Sequence, residues 1–163
     1  MPGNPPLSDA ATRGAIAVTR IEAMSAMERR AILAMRLWCA GGVHRDEMDA
    51  DFARLGPEAG RRTARAFRDL VTILAEMGRR PLMTHAPGCA CVGSDEAIFA
   101  HFVAQSATGE RDEALLIASL LMRLDMAPLA VSLAQQVGLA LLRGPADLRT
   151  EPAAPRPRTA RLH

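Results

Sequence analysis

The chain has no lysine and no tyrosine, and aromatic residues make up only 3% of its 163 residues. Without lysine, all 20 basic side chains are arginine. GC-rich coding produces that pattern with no functional demand, so arginine abundance alone is no argument for phosphate binding. Runs in which β-branched or aromatic residues alternate with polar ones are missing as well, which excludes a sheet-based fold. Ala, Leu, Met, Arg and Glu dominate instead, and they predict an all-α protein. Cysteine is scarce, with three residues. An odd number, after an N-terminus (Met1–Leu7) that lacks the basic-then-apolar order of an export signal, predicts free thiols and a cytoplasmic setting.

An excess of one charge sign is also lacking. Residues 1–143 hold 16 Arg against 16 Asp and Glu, and the net +2 comes from the last 20 residues. A neutral body argues against nucleic acid as a partner. The longest charge-free run, Met126–Leu142, is 17 residues and contains Pro128 and Gln135-Gln136. A membrane span needs ~20 apolar residues, so a buried helix is the expectation and no membrane is implied.

The apolar spacing predicts a single bundle of about five to six helices, with an irregular Cys/His loop in its middle and a disordered C-terminal tail. The expected segments are a flexible lead-in over 1–7, helices over 8–40, 46–55, 57–77, 94–107, 110–125 and 128–142, and a Pro/Arg-rich disordered tail over 144–163. The first helix rests on Ala17, Ile21, Met24, Met27, Ala31, Ala34 and Trp38, which recur at steps of three and four. Pro57 suits a first helical position, Gly78 a stop, and Ser94 an N-cap. Arg61, Arg65 and Arg68 share one face of the third helix and read as a solvated, locally paired surface. The last two helices are apolar nearly all round, which places them centrally in the bundle or under a second subunit.

Chemistry concentrates in His85-Ala86-Pro87-Gly88-Cys89-Ala90-Cys91-Val92-Gly93. Cys89 and Cys91, one residue apart, point to the same side of an extended segment, and His85 lies within reach across the Pro87-Gly88 turn. Three such ligands suggest zinc as a candidate cofactor, which normally takes four. His44 is the preferred fourth, with Cys39, His101, Asp95 and Glu96 as alternatives. The arrangement partly resembles the His-x3-Cys-x2-Cys element and upstream His of the zinc-binding anti-sigma factors, small helical bacterial regulators. His85, Cys89 and His44 carry that resemblance, while the cysteines here are closer together. A strained Cys89–Cys91 redox pair is a second reading, a Cys89/His85 thiolate–imidazole pair a third, and small apolar plugs in a turn the plainest. No nucleophile elbow, phosphate loop, dinucleotide fingerprint or H-E-x-x-H appears. The sequence thus predicts binding rather than catalysis. It points to a cytoplasmic regulatory or adaptor protein with a zinc- or thiol-responsive loop, or to a plain oligomerisation module using the C-terminal helical hairpin. The expected partner is a protein or a second copy of the chain.

Overall fold

The computed structural model describes residues 13–146 and 148–152. The expected lead-in 1–7 and the tail beyond 152 lie outside the described residues. Six longer α-helices dominate: α1 (Ala26–Ala40), α2 (Val43–Ala53), α3 (Pro57–Met77), α4 (Ser94–Thr108), α5 (Arg111–Leu121) and α6 (Ala127–Arg143). Two short strands, β1 (Ala17–Arg20) and β2 (Cys91–Gly93), pair antiparallel. The fold is mostly helical, with this ribbon as an addition that helical spacing does not foresee.

Among the described residues, the ribbon and a 3₁₀ turn stand before α1 where the long helix expected over 8–40 would run, and residues 8–12 of that expectation lie outside the described residues. Residues 17–20 are extended, Ile21–Ala23 form a 3₁₀ turn, and α1 begins only after Ser25. The cause is local. Ser25 Oγ accepts from the Glu28 amide at 3.3 Å, while the Glu28 carboxylate accepts from the Ser25 amide at 3.0 Å. This reciprocal capping box fixes a helix start at that point. Ile21 is buried even so, in a small cluster with Ile32, Val92 and Ala100. A residue that fits the helical stripe therefore reaches a core by another route.

Two glycines at positive φ, Gly41 (69°) and Gly42 (52°), turn the chain from α1 into α2. Arg45 then stacks on Trp38, its guanidinium carbon 3.9 Å from the ring centroid. Pro57 and Gly78 stand at the two ends of α3. On its outer face, Arg62 meets Glu58 at 3.5 Å and Arg68 pairs with Asp49 of α2. These exposed pairs are worth little each.

The main core runs from α1 through α2 and α3 to α4, α5 and α6, with Phe52, Phe67 and Phe99 at its centre. The last two helices part company. Residues Leu124–Arg143 are long and apolar enough to cross a membrane, at a mean hydropathy of 1.3. Here α6 packs against α1, α3, α4 and α5, burying Ala130, Val131, Ala134, Val137 and Leu141. By contrast α5 buries only Ala114, Ala118 and Leu121.

The expected disorder over 144–163 does not extend through its described part. Leu148 is buried against the main core. Arg149 pairs with Asp51 at 2.6 Å. Arg30 reaches the Leu141 and Pro145 carbonyls at 2.6 and 3.1 Å, closing the C-terminal end of α6 with a cation. One apolar residue and two arginines are enough to fasten a Pro-rich segment that composition alone assigns to disorder.

Candidate functional site

The Cys/His loop lies between α3 and α4. It begins where Gly78 bridges to Met122 and ends in β2, which leads directly into α4. Within it the Cys89 amide donates to the Ala86 carbonyl at 3.0 Å, so Pro87-Gly88 occupy the centre of a tight turn. The Ile21 amide donates to the Ala90 carbonyl at 2.8 Å, and β1 pairs with Cys91–Gly93. The loop is therefore held from the N-terminal side as well as from α4.

Its centre is an ion pair. Arg36 and Glu96 are both completely buried, and Arg36 Nε donates to Glu96 Oε1 at 2.7 Å. A second guanidinium nitrogen donates to Glu96 Oε2 at 2.9 Å, giving the bidentate fork that suits a carboxylate. The same guanidinium donates to the Cys89 carbonyl at 2.5 Å and the Cys91 carbonyl at 2.6 Å. On the other side, Glu96 accepts from the His85 amide at 2.9 Å and the Gly93 amide at 2.9 Å. His85 Nδ1 lies 3.0 Å from Glu96 Oε2. Facing a carboxylate, that nitrogen must carry the proton. One arginine from the middle of α1 and one glutamate from the first turn of α4 thus clamp His85, Cys89, Cys91 and Gly93 together.

Burial pushes Glu96 up, but donation from Arg36, from the Gly93 and His85 amides, and the Arg36 charge outweigh it and hold the carboxyl below its ordinary value. Asp95 makes a parallel contact. It is buried, accepts both terminal nitrogens of Arg80 at 2.8 and 2.5 Å, and accepts the Met83 amide at 2.8 Å. That pairing raises Arg80 above its usual value, mainly through the hydrogen bond. Gly14 packs so closely on Asp95 that a Cβ there would overlap its carboxylate. Ser94 does not cap α4. Its hydroxyl donates to the Arg13 and Gly14 carbonyls at 2.8 and 3.2 Å, tying the segment before β1 to the helix start.

The predicted ligands do not come together. Among the described residues, no group of three or more His, Cys, Asp or Glu side chains is placed to hold a metal ion. Two of them, His85 and Glu96, face each other through His85 Nδ1, and Glu96 is also held by Arg36. Cys89 and Cys91 are free, half-buried thiols, and what the loop presents to Arg36 is their backbone carbonyls. His44 lies in the first turn of α2, its Nδ1 3.7 Å from Glu47 of the same helix. Cys39 ends α1 in an exposed position, with its sulfur turned toward Thr84. Burial of that sulfur pushes its thiol up, against the Thr84 hydrogen bond and the Arg45 charge. His101 is exposed on α4, away from the clamp.

His101 belongs to a different feature. A groove of about 400 Å³ runs between α4 and α5, lined by Leu82, Ile98, His101, Ile117 and Leu120, with the Arg80–Asp95 pair at one end. Beside it the outer face of α5 is bare. Leu116 is 66% exposed, Leu120 70%, and Leu124, in the 3₁₀ turn just past the helix, 69%. Leu116 and Leu120 are four residues apart and share a face. Sequence spacing identifies the hairpin as densely apolar; it does not show that α6 takes the core while α5 keeps its leucines outside.

No known protein family, curated protein sequence or solved structure matches this chain significantly. The residues themselves must carry the functional reading.

Proposed function

We propose that the protein works by binding, as a helical adaptor whose contact surface is the α5 ridge and the groove beside it. The observation that carries this reading is the exposure of Leu116, Leu120 and Leu124 next to Ile98, which is itself 40% exposed. Removing each such leucine from water is worth roughly 1.5–3 kcal/mol. Clustered apolar exposure of this kind marks interaction surfaces. The balanced charge of residues 1–143 favours a protein partner over nucleic acid, and three free thiols suit a reducing, cytoplasmic setting.

The alternative adaptor, in which the Cys/His loop itself responds to zinc or to thiol state, has less support. A zinc ion there could reach His85 only at Nε2, because Nδ1 faces Glu96, and among the described residues no two further candidate ligands are placed beside it. Metal content of protein purified without chelator separates the two versions. Less than about a tenth of a zinc per chain, given the affinity of structural sites, leaves the ridge as the functional surface. Near one zinc per chain would transfer the function to the loop.

The direct test of the ridge is a photo-reactive side chain placed at position 120 and, for comparison, at position 61 on the charged face of α3. Specific protein adducts from position 120 and none from position 61 are expected. Adducts from position 61 alone would overturn the reading.

A further inference from the structure

We infer that the occupant of the α5 ridge is a second copy of this chain, docked about a two-fold axis so that the two α5 helices cross antiparallel. This rests on the adaptor reading above and adds the partner to it.

Charge is unevenly distributed along the ridge. Its leucines lie between two ends of opposite sign. At the N-terminal end of α5 the exposed Glu110, Asp112 and Glu113 outnumber the exposed Arg111, and at the other end the exposed Arg79 and Arg123 outnumber Asp125. On a helical projection Asp112 lies four residues and Glu113 three residues before Leu116, so both flank the leucine face. Arg79 is fixed at its end: its amide donates to the Leu121 carbonyl at 3.1 Å and its Nε to the Ser119 carbonyl at 2.7 Å. The Arg123 amide in turn donates to the Met77 carbonyl at 3.1 Å. The basic end therefore belongs to the rigid junction between α3 and α5.

A surface that is acidic at one end, apolar in the middle and basic at the other is complementary to itself when turned through a half-circle. That is the condition for an isologous contact. Parallel stacking would set like charges against each other. Antiparallel stacking brings Leu116 of each chain toward Leu120 of the other and sets Asp112 and Glu113 over Arg79 and Arg123. Among the described residues neither Asp112 nor Glu113 has an ion-pair partner within its own chain. Arg123 pairs only with Asp125 at 2.8 Å, both side chains being largely exposed, so that contact is easily exchanged. The small side chain of Ser119, three residues from Leu116 on the same side of the helix, would let two helices approach closely.

The test is sedimentation of the full chain over a range of concentrations. Wild type is expected to form a dimer, and Leu120→Glu to weaken it about a hundredfold, as for a charge placed at an interface centre. The decisive arm uses two single variants. Glu113→Arg alone and Arg123→Glu alone each place like charges opposite one another at both ends of the interface. Each is expected to weaken its own dimer about tenfold. In an equimolar mixture every end regains an opposite pair, so a mixed dimer close to wild-type affinity is expected. Circular dichroism melts confirm that each variant is folded. A monomer at all concentrations, or a mixture no tighter than its components, overturns the inference. A monomeric chain that still cross-links from position 120 to a different protein removes the self-pairing while leaving the adaptor reading in place. Loss of both removes both.

Discussion

At the Cys/His end of the molecule two opposite charges are taken wholly out of water, whereas on α5 and the turn just past it three leucines are left largely in it. Each arrangement opposes the ordinary partition of side chains, and the reasons differ. Burying Arg36 and Glu96 is costly. The cost is offset only because four of the five guanidinium N–H groups and both carboxylate oxygens find partners, which between them gather α1, α4 and the whole loop. Among the described residues, no contact covers most of Leu116 or Leu120. The Arg36–Glu96 pair is thus engaged in holding the loop, whereas the leucines of the ridge are the surface proposed to bind.

The comparison breaks first if the clamp is not structural. Glu96→Gln leaves Arg36 buried without a counter-charge and should cost about 3–5 kcal/mol in denaturant unfolding. Converting the pair together, Arg36→Met with Glu96→Leu, should recover only part of that loss. The His85 and Gly93 amides and the Cys89 and Cys91 carbonyls would then lack partners, at about 1–3 kcal/mol for each group left buried. Full recovery would show that the pair stabilises as a simple salt bridge and does not clamp the loop.

Acid should act in the same direction. Glu96 is held below its ordinary value of 4.5, so its contribution is complete above that pH in the native protein and is lost as pH falls through the depressed folded value. Unfolding followed from pH 6 downward should show a drop in stability that is absent in Glu96→Gln. Parallel curves for the two proteins would count against the pairing.

Next in size is the start of α1, which sets the phase of Arg36 along the helix. Ser25→Ala removes half of the capping box and should cost about 1 kcal/mol. Smaller still is the effect expected at the thiols. Cys89→Ser with Cys91→Ser changes no contact to Arg36, which binds their carbonyls, and should move stability by less than about 1 kcal/mol. Leu120→Glu should change unfolding of the isolated chain by no more than about 0.5 kcal/mol, because the side chain is already in water. A large loss there would mean that α5 packs more deeply than its exposure shows.

Much of the helical scaffold is written in local signals. Pro57 and Gly78 stand at the ends of α3, and the Gly41-Gly42 pair turns α1 into α2. The ribbon was hidden because Ala17, Ile21 and Met24 happen to continue the helical spacing of α1. Ser25-Ala26-Met27-Glu28 is a capping-box sequence ahead of an apolar run, and it carried the correct start. Arg36 was also detectable in principle. It is the only charge between Ala31 and Trp38, a stretch otherwise apolar on every side, where a cation must find a buried partner. Its partner was not legible, since nothing local distinguishes Glu96 from Asp95. The docking of Leu148 and the division of labour between α5 and α6 depend on long-range packing, and periodicity gives no access to either.

On the proposed reading the ridge binds and the loop holds. That division is tested most directly by moving one photo-reactive side chain between position 120 on α5 and position 91 in the loop and comparing the yield of protein adducts. Adducts are expected from position 120 and none from position 91. Adducts concentrated at position 91, with position 120 silent, would contradict it.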